Sequence, residues 1–252
     1  MGYIHLSTVR RVCLALVIKT KWYSMRILRL AKHFWIYLGR FGLSETAKYS
    51  WYWVKEMSYE LWFQSNTSPS GGVVGELRIT PESGEYQPVS FSGLHRALKT
   101  VPPDCPDEVF LDYGCGKGRG LLIAALFPYK RVLGVELDPA LCIIAKENVE
   151  RARKRFCCND VEVFEEDATR FEIPKNVSRM FFYQPFIGQT MQRVIQNLED
   201  SLNAWPRRFV VITCYPREDL DPFVDHSKFS CDFSFKPNGS SNEIIRIHSF
   251  DN

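Results

Sequence analysis

The sequence lacks the long apolar segments of membrane-spanning proteins. A spanning helix needs roughly 18 uninterrupted apolar residues, whereas the longest run near the N-terminus, residues 12–18, is closed by Lys19. No small-residue cleavage site follows it, and Leu6 stands where an N-myristoylation signal starting at Gly2 requires Ser or Thr. We therefore expect a chain that stays in the cytoplasm.

The common zinc-binding patterns are absent as well. The chain has eight cysteines, but none forms a C-x-x-C pair and no histidine stands at a zinc-finger spacing from them. We therefore expect free thiols in a reducing compartment and no metal site. With 252 residues, 45% of them hydrophobic, the chain can bury a sizeable core without cross-links.

Acidic residues are missing from the first 44 positions, which hold eight Lys or Arg. The other 208 residues carry 24 basic and 29 acidic residues, and five of the six tryptophans lie within the first 62 positions. Residues 64–72 are rich in Ser, Asn, Gly and Pro, which is typical of a loop. The composition predicts a basic, aromatic-rich helical extension at 1–64, a linker at 65–84 and a main domain at 85–252.

Part of the basic extension has the period of an amphipathic helix. At 100° per residue, an apolar face opposes a basic face over residues 27–41. The apolar face consists of Ile27, Leu30, Ala31, Phe34, Leu38 and Phe41. Such a helix can lie on an anionic membrane surface or bind a protein partner, and it can equally pack on the main domain. Residues 1–44 are therefore a candidate partner-binding segment, and a peripheral membrane location stands beside the cytoplasmic one.

From residue 90, short apolar strands alternate with helices. Strands are predicted at 109–111, 132–135, 161–164, 180–183 and 209–213, and helices at 92–101, 121–127, 138–155 and 190–202. Almost fully apolar strands favour a parallel sheet covered by helices on both faces. Residues 229–235 and 244–247, around a Pro-Asn-Gly turn at 237–239, predict an antiparallel hairpin. The predicted fold class is α/β, Rossmann-like.

The most informative segment is the glycine-rich turn at residues 112–120, DYGCGKGRG, between a predicted strand and a predicted helix. Glycines there let the backbone turn sharply beside a helix N-terminus and approach a ligand closely. Arg119 stands where a dinucleotide fingerprint has its third glycine. Asp112 would repel a pyrophosphate but attract an ammonium group. S-adenosylmethionine, which carries an amino group and a sulfonium, fits this pattern.

Two further acids follow the next two predicted strands. Glu136 ends the second strand, 20 residues beyond Gly116, where a carboxylate can accept hydrogen bonds from both hydroxyls of a ribose. Asp167 follows the third strand, where it can contact the amino group of an adenine. Because the carboxyl ends of parallel strands meet at one edge of a sheet, we expect these acids and Asp112 in one crevice.

On these residues the chain resembles class I S-adenosylmethionine-dependent methyltransferases over roughly residues 85–250. More narrowly, it is similar to uncharacterised bacterial methyltransferases with a basic N-terminal extension. These show a Y-x-P segment, here at 86–88, and a D-x-G-x-G-K-G-R loop, here at 112–119. The resemblance implies a seven-stranded sheet whose last strand is antiparallel. A more local similarity links the loop and its upstream segment to the non-SET histone lysine methyltransferases. The predicted cofactor-binding residues are Tyr86, Asp112, Gly114, Cys115, Gly116, Gly118, Glu136, Leu137, Asp167 and Ala168.

The end of the fourth strand is the predicted catalytic segment, made of Tyr183, Gln184, Pro185 and Phe186. In related amino-methylating enzymes the corresponding motif begins with Asn or Asp. The resemblance implies that the side-chain oxygen orients the target amine and that the aromatic ring stacks on the substrate. Gln184 is one methylene longer than the usual Asn, and a single proline follows it. A strand-end cap is the alternative role for this amide.

These observations predict an enzyme that transfers a methyl group from S-adenosylmethionine to a nitrogen or oxygen nucleophile by in-line displacement. A protein lysine, a small molecule and, given the basic and aromatic N-terminus, a nucleic acid are the candidate acceptors. Two alternatives remain. One is a catalytically weakened cofactor-binding or membrane-surface scaffold, suggested by the departure at Gln184. The other is a nicotinamide-dependent oxidoreductase, which Asp112 and Arg119 disfavour.

Overall fold

The computed structural model describes residues 36, 38–68, 87–237 and 243–250. Helix α1 covers residues 38–63, and the chain divides into two compact units, Met1–Val54 and Lys55–Asn252. The division of the chain at residues 64 and 84 stays a prediction.

In the first unit, the described residues are helical and carry many exposed apolar side chains. Leu43 and Trp51 are exposed, and the ring of Trp53 packs edge-on against Tyr49 and Tyr52. Most of the predicted apolar face, from Ile27 to Phe34, lies outside the described residues. None of the described helices is long and apolar enough to cross a bilayer.

The second unit is built on a seven-stranded sheet. Its strands are β1 (Val109–Tyr113), β2 (Arg131–Glu136), β3 (Val161–Glu165), β4 (Val177–Phe182), β5 (Val210–Tyr215), β6 (Phe229–Phe235) and β7 (Ile244–Phe250). Its further α-helices are α2 (Phe91–Thr100), α3 (Arg119–Ala124), α4 (Pro139–Ala152) and α5 (Gly188–Ala204). The strand order is β3-β2-β1-β4-β5-β7-β6. β1 to β5 are parallel and β7 is antiparallel to both of its neighbours, which confirms the predicted fold class.

Helices cover both faces of this sheet because alternate strand residues point to opposite sides. In β1, Phe110 packs in a cluster with residues of α2, α3 and α4, whereas Val109 and Leu111 pack in a second cluster with residues of α5. Every residue of β1, β4 and β5 is buried. The central strands thereby hold the loops at their carboxyl ends on a rigid support.

Several predicted boundaries differ from the structure by a few residues, and the predicted start of α4 is confirmed. β4 begins three residues earlier than predicted and ends at Phe182, so Tyr183 lies in the loop that follows. α3 ends at Ala124 rather than Phe127. Asp138 caps α4 as predicted, because its carboxylate accepts hydrogen bonds from the first-turn amides of Ala140 and Leu141. Asn238 and Gly239 of the predicted turn lie outside the described residues.

A buried polar cluster joins β5 to β7. Asp221 accepts a hydrogen bond from the Thr213 hydroxyl and lies 3.3 Å from Nε2 of His248 and 3.5 Å from Nη1 of Arg246. Burial would raise the pKa of Asp221, but the hydrogen bonds from His248 and Thr213 outweigh it and hold the pKa below its usual value. The ionised carboxylate is therefore the form that stabilises the fold.

Asp221→Asn is expected to lower the free energy of unfolding at pH 7 by about 3 kcal/mol, because it leaves buried partners without their counter-charge. A carboxyl group with a depressed folded-state pKa contributes stability above its unfolded pKa of about 4, and that contribution is lost as the pH falls through the folded-state pKa. Urea unfolding of both proteins should therefore show the difference shrinking below about pH 4. Asp219→Asn, at an exposed ion pair with Arg217, is the control and should change stability by less than about 0.5 kcal/mol. An equal loss in both variants would contradict the account.

Candidate active site

The predicted site residues gather at the point where the strand order reverses. β1 lies between β2 and β4. After β1 the chain forms β2 and β3 on one side of it, and then β4 and β5 on the other side. In open α/β sheets, ligands bind outside the carboxyl ends of the strands at such a switch point. The loops after β1 and β4 therefore border the crevice.

Gly114 brings these two loops into contact. Its φ is +69°, and a Cβ added to it would lie 2.4 Å from Cβ of Pro185, a separation that real side chains do not reach. Its amide and that of Cys115 donate hydrogen bonds to the carbonyl of Val135 at 2.8 and 3.1 Å. The glycine thus places the turn after β1 against both β2 and the predicted catalytic segment.

Asp112 lies at the base of this turn and is 3% exposed. Its Oδ2 occupies space beside Gly120, where an added Cβ would approach to 2.2 Å. Burial, and secondarily the charge of Glu136, raises the pKa of Asp112 well above its usual value. No described residue donates a hydrogen bond to this carboxylate. A cationic group beside it would stabilise the ionised form of this carboxyl group, and this fits the ammonium group inferred from the sequence.

Glu136 holds the glycine turn from the end of β2. Its carboxylate accepts hydrogen bonds from the amides of Gly116 at 2.8 Å and of Leu137 and Asp138 at 2.9 Å. Burial raises its pKa even though these bonds oppose the shift. Gly116 has φ +54° and Gly118 has φ +82°, backbone conformations that favour glycine. Glu136 is therefore next to the turn, where it was expected, and it also fixes the backbone of that turn.

The end of β3 is tied to the same edge. The amide of Glu166 donates to the carbonyl of Glu136 at 3.0 Å. Oδ1 of Asp167 accepts hydrogen bonds from the amide and hydroxyl of Thr169, both at 2.8 Å. Asp167 thus stabilises its own turn in this structure, and its contact with an adenine stays a prediction. Ala168 is buried beside it.

The remaining predicted cofactor residues differ in exposure. Cys115 is buried, with its sulfur beside Gly134, and burial raises the pKa of its thiol well above the usual value. Leu137 is 40% exposed, and its contact with the cofactor stays a prediction. Tyr86 lies outside the described residues.

The backbone of Gln184 has an unusual conformation. Its φ is +41° and its side chain is half-buried. A non-glycine residue in the left-handed region costs about 1–3 kcal/mol, and such residues cluster at active sites and ligand clamps. The proline that follows packs on Gly114. The amide is thereby held in the loop that faces the glycine turn.

The two aromatic residues of the predicted catalytic segment contact other parts of the domain. Phe186 is 9% exposed, and its ring packs against Tyr113 and Phe182 in the α5-side core. The ring faces the core in this structure, and its expected stacking on a substrate stays a prediction. Tyr183 donates a hydrogen bond from its hydroxyl to Glu243, the residue just before β7.

Comparison with known proteins agrees with this geometry. Residues 111–183 match a family described as a methyltransferase domain. Two curated relatives, both named as uncharacterised RNA methyltransferases, match more than half of this chain. That of Chlamydia caviae is 29% identical over 163 residues, which is 61% of this chain and 38% of the relative. That of Chlamydia trachomatis is 37% identical over 148 residues, which is 56% of this chain and 34% of the relative.

Among solved structures, a protein provisionally described as an RNA methyltransferase from Pyrococcus horikoshii superposes with a TM-score of 0.53 at 16% identity, covering 79% of this chain and 99% of that chain. At this identity the likeness concerns the fold alone. The chain spans about a third of the length of the two curated relatives. The family match over residues 111–183 and the shared fold agree with the resemblance to class I S-adenosylmethionine-dependent methyltransferases that the sequence indicates.

Proposed function

We propose that this protein transfers a methyl group from S-adenosylmethionine to a nitrogen nucleophile at the carboxyl edge of its sheet. The observation that carries the proposal is the contact between Gly114 and Pro185. This contact brings the turn that would hold the cofactor against the proline that follows Gln184, the residue that would orient the acceptor.

The described residues suit the parts of the cofactor. Asp112, buried and without a hydrogen-bond donor among the described residues, would face the cationic amino group. Glu136 would accept hydrogen bonds from the ribose hydroxyls with the lone pairs that its three backbone donors leave available. Leu137 and Ala168 would flank the adenine, and Asp167 would accept from its amino group.

When bound, the cofactor supplies a methyl carbon already activated by the sulfonium, so the protein mainly has to align the acceptor and exclude water. The amide oxygen of Gln184 would accept a hydrogen bond from the target amine and direct its lone pair. The described histidines have other partners: His95 bonds to Tyr59, His226 pairs with Glu199 and His248 lies in the Asp221 cluster. We therefore propose alignment rather than a histidine base as the main contribution.

RNA is the acceptor class that we propose. The two curated relatives that match over more than half of the chain are named as RNA methyltransferases, and they favour RNA over the protein lysine considered from the sequence. The basic, aromatic-rich residues 1–44 are suited to phosphates and unstacked bases. A ring nitrogen or exocyclic amine of a base is the nucleophile that a Gln184 amide can orient.

Transfer of a labelled methyl group separates the acceptor classes. The purified protein is incubated with S-adenosylmethionine carrying a labelled methyl group and with cell RNA, cell protein or the small-molecule fraction. We expect label in nuclease-sensitive RNA, and loss of that label in the Gln184→Ala variant. Label in the protein or small-molecule fraction, and none in RNA, would show that the acceptor belongs to that fraction and is not RNA. No transfer to any fraction, with intact cofactor binding, would support the scaffold alternative.

A further inference from the structure

The two basic residues of the glycine turn are buried against the chain upstream of the sheet. Lys117 and Arg119 are 1% and 8% exposed. Arg119 donates from Nε to the Thr67 hydroxyl at 2.9 Å and from Nη1 to the carbonyl of Val89 at 2.8 Å. Lys117 donates from Nζ to the carbonyl of Ser68 at 3.0 Å. Both side chains thus bind the chain upstream of the sheet.

Two glutamates at the end of α1 face this pair. Glu56 and Glu60 are one helical turn apart, so they lie on the same face of the helix, and both are buried. Their carboxylates lie 3.7 and 3.8 Å from the guanidinium of Arg119. Glu60 also accepts hydrogen bonds from the amides of Thr67 at 2.6 Å and Ser68 at 2.9 Å. The Thr67 hydroxyl, which accepts from Arg119, donates to Glu60 at 2.8 Å.

Glu56 connects the same network to α2. It accepts hydrogen bonds from the amides of Phe91 at 2.7 Å and Ser92 at 3.0 Å, at a helix N-terminus where a carboxylate is favoured. The ring of Phe91 lies under the guanidinium of Arg119 at 4.1 Å. From the other side, Asn148 of α4 donates to the carbonyl of Lys117 at 2.9 Å. The back of the glycine turn is therefore bound by three helices.

The charges and hydrogen-bonding groups of this network are all paired in the arrangement that the structure shows. Buried charges are costly unless they are paired and hydrogen-bonded, and removal of one member leaves the others without compensation. The turn it supports contains Gly114, Gly116 and Gly118 at positive φ. Glycine backbone has the most conformational freedom to lose, so a turn of this kind needs external support to stay in its ligand-binding form.

We propose that Arg119 is a positioning residue for the cofactor: through Thr67 and Glu60 it couples the end of α1 to the glycine turn. This inference rests on the proposed function and extends it. The D-x-G-x-G-K-G-R loop then has two roles: its glycines approach the ligand, and its Lys and Arg bind Thr67, Ser68 and Val89. The last turns of α1 belong to the cofactor-binding domain, and their loss weakens cofactor affinity.

Arg119→Lys tests this coupling, because lysine keeps the charge but cannot make both hydrogen bonds with the planar geometry of arginine. Calorimetry should show affinity for S-adenosylhomocysteine about tenfold weaker, with the KM for the acceptor unchanged. Arg179→Lys is the matched control. Arg179 is also buried and lies 3.2 Å from both Asp104 and Glu108, but it is in the first half of β4. The Arg179→Lys variant should have a lower melting temperature than the wild type but the same affinity for S-adenosylhomocysteine.

Amide hydrogen exchange of the ligand-free protein gives a readout that needs no cofactor. The amides of Gly116 and Gly118 are bonded to Glu136 and to the carbonyl of Cys115, and their exchange should accelerate in Arg119→Lys but not in Arg179→Lys. Thr67→Val, which removes only the bridging hydroxyl, should weaken affinity in the same direction. Wild-type exchange in Arg119→Lys and Thr67→Val, or equal changes in Arg179→Lys, would overturn the inference. Failure of the wild type to bind S-adenosylhomocysteine would instead overturn the proposed function.

Discussion

Replacing Gln184 by alanine is expected to lower turnover by about 10²-fold or more, the scale of removing one positioned polar group. The dissociation constant for S-adenosylmethionine should stay within about twofold, because the amide would act on the acceptor in the transition state rather than on the cofactor. Single-turnover methyl transfer and calorimetry measure the two quantities separately. Gln184→Asn should keep part of the activity, since asparagine carries the same amide and tolerates positive φ.

The strained backbone of Gln184 calls for its own controls. Gln184→Gly removes the amide and relieves the strain at φ +41°, so it should be as inactive as Gln184→Ala although it is better suited to the backbone. Gln64, the other described non-glycine residue at positive φ, lies just after α1. Gln64→Ala should leave turnover unchanged. If Gln184→Ala had the turnover of the wild type, Gln184 would be only a strand-end cap and would not orient the acceptor.

Replacing Gly114 by alanine is expected to weaken cofactor affinity by about 10²-fold or more and to abolish methyl transfer. The new Cβ would meet Pro185 at 2.4 Å, on a backbone with φ +69°. A non-glycine residue in this region costs about 1–3 kcal/mol, and the clash adds to this cost. The turn and the catalytic loop must then separate, and the cofactor loses its site between them.

Gly39→Ala is the matched control for Gly114→Ala. Gly39 lies in α1, and a Cβ added there meets no atom of the described residues within 4 Å. In a helix interior, alanine is favoured over glycine by up to about 1 kcal/mol, so this variant should keep wild-type affinity and activity. Wild-type binding by a folded Gly114→Ala protein would show that contact between the two loops is not required.

Much of the fold could be predicted because its signals are local. Continuous apolar runs such as residues 109–111 mark strands buried on both faces, and Asp138 followed by Pro139 marks a helix start. The placement of Asp112 and Glu136 beside the glycine turn followed from one rule, that the carboxyl ends of parallel strands meet at one edge.

The parts that could not be predicted depend on contacts between distant residues. Arg119 and its partner Thr67 are 52 positions apart, and no local pattern links them. The inward turn of Phe186 is decided by packing against Tyr113 and Phe182. Hydrophobicity alone does not tell a ring that stacks on a substrate from one that fills the core.

The most direct test of the central claim, that the glycine turn binds S-adenosylmethionine, is thermal unfolding of the wild-type protein with S-adenosylhomocysteine or with NAD. A ligand at about 100 times its dissociation constant stabilises the folded state by about 2.7 kcal/mol. The account predicts that S-adenosylhomocysteine raises the melting temperature, that NAD does not, and that Asp112→Ala removes the effect. A rise with NAD and none with S-adenosylhomocysteine would contradict it.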